Sequence, residues 1–167
     1  MKKWIFAIVI VIVASGIYGA YVYNKAMEKK IPKEAKSVEI AKEKAKLVKV
    51  KSVDYYNGNS SYTVVQGVDE KGEQIIVWVP NKKGNVLVKK KSEGIPEKEA
   101  LQKLAEQATG KGDEPKPKPK EIIKVKLGAQ NDIPLWEITY IDQEDRYTYY
   151  YLEFQNGAYA GHYSIEK

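Results

Sequence analysis

Residues 135–154 read Leu135-Trp-Glu-Ile-Thr-Tyr-Ile-Asp-Gln-Glu-Asp-Arg-Tyr-Thr-Tyr-Tyr-Tyr-Leu-Glu-Phe154. Two runs rich in aromatic and β-branched residues flank a polar cluster, Asp142 to Arg146. That pattern predicts two strands joined by a hairpin turn. Side chains alternate across a strand. Trp136, Ile138 and Tyr140 therefore share one face with Tyr150, Leu152 and Phe154, and Glu137, Thr139, Tyr147, Tyr149, Tyr151 and Glu153 form the other. Upstream, Pro96 opens a segment in which Ala100, Leu101, Leu104, Ala105 and Ala108 recur at helical spacing. This helix is expected to cover the Trp136–Phe154 face. Further strands are expected near Ile122–Leu127 and Tyr159–Ile165.

The same order occurs once before. A helix is expected from about Lys33 to Leu47, with Pro32 in its first turn. Strands follow near Val48–Val53, Tyr62–Val68, Gln74–Val79 and Val86–Lys89. An offset of about 74 residues sets Tyr62 and Val64 on Trp136 and Ile138, and Trp78 on Leu152. The helices match at a smaller offset, Pro32 to Pro96. The insert Lys111-Gly-Asp-Glu-Pro-Lys-Pro-Lys-Pro-Lys120 accounts for most of the difference, and its Lys-Pro alternation favours an extended, unpacked chain. Each copy is small for an independent core, so the two are expected to pack together. In the first copy Thr63, Val65, Ile75, Val77 and Val79 make an outward set too apolar for water, so something is expected to cover them.

Ahead of the repeat, Trp4 to Tyr23 is a run of twenty residues without a charge. As a helix it reaches about 30 Å, the thickness of a bilayer core. Trp4 marks one end, and Tyr18, Tyr21 and Tyr23 the other, like an aromatic belt. Ala14-Ser15-Gly16 also satisfies a cleavage pattern, but the apolar run continues past it, which favours a retained anchor. The flanking lysines leave orientation open: two precede the run, and Lys25, Lys29, Lys30, Lys33 and Lys36 follow it.

A hydrophobic content of 43% with 30% charged residues suits a folded tail. Residues 24–52 hold ten lysines against four glutamates, whereas residues 53–167 hold sixteen basic against eighteen acidic residues. The basic excess thus sits beside the anchor and not on the folded bulk. That argues against a nucleic-acid binder and for contact with anionic lipid or wall polymer. Without cysteine, disulfides, thiol catalysis and lipoprotein anchoring are excluded.

Candidate chemistry is sparse. The single histidine, His162, cannot build a usual zinc site without cysteine partners. Asp142, Glu144 and Asp145 are a possible calcium or hydrolytic cluster, but turn chemistry explains them, and Asp69-Glu-Lys-Gly72 stands at the matching turn of the first copy. No cofactor and no catalytic set is expected; an enzyme would have to use Asp142 or Glu137. The best binding candidates are Tyr147, Tyr149 and Tyr151, with Glu137 on the same face, because tyrosine offers large contact area at small entropic cost.

The second copy resembles a PepSY-type unit in Gly94-Ile-Pro-Glu-Lys-Glu-Ala100, Trp136-Glu-Ile-Thr-Tyr140 and Tyr149-Tyr-Tyr-Leu-Glu-Phe-Gln-Asn-Gly157. The anchor, the Lys/Glu/Ala helix, Ile75-Ile-Val-Trp-Val-Pro80, Gly94-Ile-Pro and Leu135-Trp-Glu-Ile-Thr-Tyr-Ile141, in that order, resemble the YpmB/TseB family over essentially the whole chain. The Lys-Pro insert departs from that pattern. The resemblance implies an α+β tail of two PepSY/cystatin-like units outside the cytoplasmic membrane. It also implies a role in cell-wall elongation through a penicillin-binding transpeptidase.

The organisation expected is therefore a cytoplasmic N-terminus at residues 1–3, a transmembrane helix at 4–23, a first unit at 24–91 and a second at 92–167 with its insert at 111–120. The function expected is non-enzymatic regulation by binding. The alternative is a PepSY-type inhibitor or chaperone-like modulator of an extracytoplasmic peptidase.

Overall fold

The computed structural model describes residues 2–109 and 117–166; within the helices, the side chains of residues 2–7, 9, 10, 24, 26–33 and 109 lie outside that description. Most of the Lys-Pro insert, residues 111–116, falls outside it as well. The chain forms two compact units, Met1–Lys36 and Ser37–Lys167.

The first helix, α1, spans Lys2–Ala45. The sequence predicts two separate helices here, with a start at Pro32. The structure runs through that proline, and a proline within a helix costs about 3 kcal/mol, in part because it has no N–H to donate. Good helix formers on both sides (Ala, Met, Lys, Glu) offset it. The helix stops where Lys46 turns to φ +49, a left-handed cap. The run Trp4–Tyr23 lies wholly within α1, and Ile8, Val11, Ile12, Val13 and Ile17 are exposed. Among the described residues no helix is long and apolar enough to cross a membrane. The span expected at 4–23 falls partly on residues 4–7, 9 and 10, whose side chains lie outside the described set.

The second unit contains two four-stranded antiparallel sheets. The first has the order β1 (Leu47–Asn57), β2 (Ser61–Asp69), β3 (Gln74–Pro80), β4 (Leu87–Lys90). A short 3₁₀ turn, Lys91–Glu93, leads to α2 (Glu97–Thr109), whose first turn carries Glu97 and Glu99 against the positive end of the helix dipole. The second sheet has the order β5 (Pro119–Gln130), β6 (Ile133–Asp142), β7 (Tyr147–Glu153), β8 (Tyr159–Ile165). The end of the Lys-Pro run is not unpacked: Pro119 and Lys120 already belong to β5, and Pro119 pairs with Asp142.

The repeat is real, and its register differs from the expected one. Val65 pairs with Val77 in the first sheet, as Ile138 pairs with Tyr150 in the second. Both steps are 73 residues, so Tyr62 matches Leu135, not Trp136, and Trp78 matches Tyr151, not Leu152. The turns agree. Asp69 takes the N–H groups of Lys71 and Glu73 on its carboxylate, and Asp142 takes those of Glu144 and Arg146. In each turn the fourth residue has positive φ, Gly72 at +82° and Asp145 at +60°. Even the irregularities recur: β1 shifts register at Leu47/Lys49 and Val50/Ser52, and β5 at Pro119/Glu121 and Ile122/Lys124. Matching large apolar residues one for one misses this by a single position, which exchanges the faces of every strand.

With the corrected register, each helix covers the same face of its own sheet. Ala41 of α1, with Val38 and Ala45, packs on Val65, Ile75, Val77 and Val79, the set that requires a cover. Ala100 and Leu104 of α2 belong to the cluster that includes Ile138, Tyr140, Tyr150 and Leu152, and the Tyr150 hydroxyl donates to Gln107 Oε1 at 3.0 Å. The other face of the first sheet, Tyr56, Tyr62, Val64, Ile76 and Trp78, packs into the second half. Trp78 meets Phe154 edge to face at 5.5 Å, a contact worth about 0.5–1.5 kcal/mol beyond area burial. The two halves thus pack together through one shared cluster, as expected for copies of this size, while the α1-covered face of the first sheet forms a cluster of its own.

Candidate interaction face

The tyrosines singled out in the sequence lie on the face of the second sheet opposite α2. By the 73-residue step Tyr147, Tyr149 and Tyr151 are the counterparts of Gln74, Ile76 and Trp78. This is the face with which the first sheet docks inside the molecule. In the second sheet its two halves have different fates.

One half is buried between the sheets. Tyr151 and Glu137 are opposite one another on β7 and β6 and are 5% and 2% exposed, so neither is open to solvent. The cover comes from the first copy. Tyr56 lays its ring on Gly128, where a Cβ would sit 2.3 Å from two ring carbons. The Tyr56 hydroxyl accepts a hydrogen bond from Gln130 at 3.1 Å, and burial pushes its pKa up to about 12. Lys126 reaches over the Tyr56 ring at 5.6 Å and pairs with the Glu137 carboxylate at 3.1 Å. Burial also pushes the Tyr151 phenol up, reinforced by its hydrogen bond with Tyr163. Beside this patch the turn Asn131-Asp132, with φ of +49° and +62°, closes β5 on β6 in two residues. Asp132 receives the Tyr62 hydroxyl at 3.2 Å and the Asn85 amide at 2.7 Å, both from the first half.

The other half is open. Tyr147 pairs with Ile165 and Tyr149 with Tyr163 across β7 and β8. The rings of Tyr149 and Tyr163 stack at 4.8 Å and 12°. Tyr147, Tyr163 and Ile165 are exposed and Tyr149 is half-buried. Tyr163 and Ile165 are not among the sequence candidates. The alternation of β8 carries them, but only the pairing with β7 shows that they complete this face.

The remaining candidates have structural roles. Asp142 is buried, and burial opposes its charge. Hydrogen bonds from the Arg146 main chain and guanidinium, the Glu144 N–H and the Thr148 hydroxyl outweigh that and hold its carboxyl below the usual range. Arg146 bridges on to Glu144, while Asp145 pairs with Lys120. Among the described residues no group of three or more His, Asp or Glu is placed to hold a metal ion. His162 sits on β8 with Nδ1 2.5 Å from the Tyr159 hydroxyl. Of the lysines that follow the uncharged run, Lys25 lies over the Tyr21 ring at 5.5 Å and Lys36 is exposed. The side chains of Lys29, Lys30 and Lys33 lie outside the described residues.

Fold and face together define a tandem α+β protein that presents an aromatic sheet surface. The chain belongs to the TseB-like family of cell wall elongation regulators. It is 33% identical over 159 residues, 93% of each chain, to the probable cell wall elongation regulator TseB of Bacillus subtilis (strain 168). A model of the cell wall elongation regulator TseB-like domain matches residues 36–80. The solved structure of the YpmB protein from Bacillus subtilis superposes with a TM-score of 0.70 at 29% identity, covering 79% of this chain and 97% of that one.

Proposed function

We propose that this chain is a membrane-anchored, extracytoplasmic regulator of cell wall elongation that acts without turnover, by binding a penicillin-binding transpeptidase through the open half of its tyrosine face. One observation carries this reading. The first copy uses the equivalent face, through Ile76 and Trp78, to dock onto another sheet, while the second copy leaves Tyr147, Tyr163 and Ile165 exposed around the half-buried Tyr149. Exposed aromatic residues clustered on a rigid sheet are the usual composition of a protein-binding surface.

The uncharged run Trp4–Tyr23 supports the anchor. The name of the Bacillus subtilis relative supports the wall context. Holding both proteins in one membrane raises their effective concentration, so a contact of modest affinity suffices. The basic segment at Lys25, Lys29, Lys30, Lys33 and Lys36 adds attraction to anionic lipid or wall polymer, which salt weakens.

The test places a photo-crosslinker at Tyr147 or Tyr163 in cells, with Asn59 on the β1–β2 loop as control. Capture of a transpeptidase from the face positions and not from the control is expected, and Tyr147→Ala with Tyr163→Ala abolishes it. Equal capture from both places, or inhibition of a secreted peptidase without capture of a transpeptidase, refutes the proposal.

A further inference from the structure

Among the described residues four strands form sheet edges, and three of them carry charges or proline. β1 carries Lys49, Lys51 and Asp54. β5 carries Pro119, Lys120, Glu121, Lys124 and Lys126, with two register breaks. β4 carries Lys89 and Lys90, which pair with Glu93 and Glu73. Charge, proline and bulges are the devices by which proteins keep foreign strands off an open edge.

β8 lacks such charges and prolines, and its one register break is confined to Tyr159–Gly161, leaving His162–Ile165 regularly paired with β7. Its seven residues, Tyr159-Ala-Gly-His-Tyr-Ser-Ile165, include no lysine, arginine, acidic residue or proline. The repeat supplies an internal control. Lys89 pairs with Ile76 as Tyr163 pairs with Tyr149, and Lys90 pairs with Ile75 as Ser164 pairs with Thr148. At the two positions where the first copy has guarding lysines, the second has tyrosine and serine. The edge also adjoins the open face, because Tyr163 and Ile165 belong to both. Beside it lies a concavity of about 590 Å³, lined in part by three consecutive β8 residues, His162, Tyr163 and Ser164. Side chains of consecutive strand residues point to opposite faces. Three residues lining one hollow in succession fit a strand edge whose main chain borders it.

We propose that β8 accepts an extended segment of the partner as a fifth strand of the second sheet, main chain to main chain. This rests on the reading that the partner docks at the tyrosine face, and it names the mode. The segment is apolar on the side of Tyr163 and Ile165 and polar or charged where it passes Lys118, Glu144 and Arg146 at the concavity. Its side chains on the tyrosine side continue the row of Tyr149 and Tyr163. Main-chain bonds supply affinity in this mode, and alternate side chains supply specificity.

The test uses the full-length chain in lipid nanodiscs, with the purified penicillin-binding transpeptidases of the host bacterium added one at a time. Amide hydrogen exchange is read residue by residue along Tyr159–Ile165. Strand addition protects alternate β8 amides, those facing away from β7, by roughly tenfold or more. Ala160→Lys, at an exposed position, adds an edge guard and is expected to weaken binding about tenfold without disturbing the fold. Unchanged β8 exchange on a complex that Tyr147→Ala with Tyr163→Ala still abolishes overturns strand addition and leaves docking at the face intact. Protection of β8 in the chain alone, with twice the protomer mass, overturns it in favour of pairing between two copies. Failure of every transpeptidase to bind overturns both readings.

Discussion

Gly128→Ala adds one methyl group at the point where the two halves meet. The new Cβ would stand 2.3 Å from Cδ2 and Cε2 of Tyr56 and 2.7 Å from its Cγ. Carbon atoms rest at about 3.5–4.0 Å, so the ring has to retreat by roughly 1.2 Å or more. It has little room. Tyr56 is fully buried, its hydroxyl is held by Gln130, and its far end abuts Gly58, where a Cβ would sit 2.3 Å from Oη. Overpacking of this kind costs about 1–3 kcal/mol. Tyr56→Ala alone removes a large buried ring and costs about 3–5 kcal/mol. In the double variant the ring is gone and the methyl fills part of its space, so the two losses fall short of additivity by about 1–3 kcal/mol. Urea unfolding of the full-length chain in detergent measures all four proteins, with Trp78 and Trp136 in the same core as reporters. A Gly128→Ala variant within about 0.5 kcal/mol of wild type, or additive losses in the double variant, refutes the placement of Tyr56 on Gly128.

Asp142→Asn removes the charge that gathers Arg146 and Thr148 around the β6–β7 turn and is expected to cost about 2–3 kcal/mol at neutral pH. The sign with pH follows from the lowered folded pKa of Asp142. Its contribution is whole above the unfolded carboxylate value, about 3.9, and is lost as pH falls through the folded value. Acid titration of unfolding should therefore show a shallower loss in Asp142→Asn than in wild type, and identical slopes would contradict the assignment. Ala41→Asp buries a carboxylate against Val65 and Val77 and is expected to lower stability by more than about 3 kcal/mol; an unchanged urea midpoint would mean that α1 does not cover this face.

The expected strands and α2 are present, because their signals are local: aromatic and β-branched runs in 61–69 and 133–142, helical spacing in 97–109. The turn role of Asp142 was legible for the same reason, since Asp69 repeats it within the chain. The register between copies was not. Apolar residues occupy both faces of β2 and β3, so burial gives no alternation to align, and Tyr62 matches Trp136 as well in composition as it matches Leu135. Only the pairing of strands breaks that tie.

The candidate face divides along the same line. That Tyr147, Tyr149, Tyr151 and Glu137 share one side of a sheet follows from the period of a strand and was decided by the sequence alone. Which of them meets solvent was decided by tertiary structure. Tyr56, 72 residues before Gly128, covers it and with it Glu137 and Tyr151, while Tyr163 and Ile165 join Tyr147 on the exposed half beside the half-buried Tyr149. Periodicity assigns a residue to a face, but burial depends on what another part of the chain brings to that face, and no local pattern carries that information.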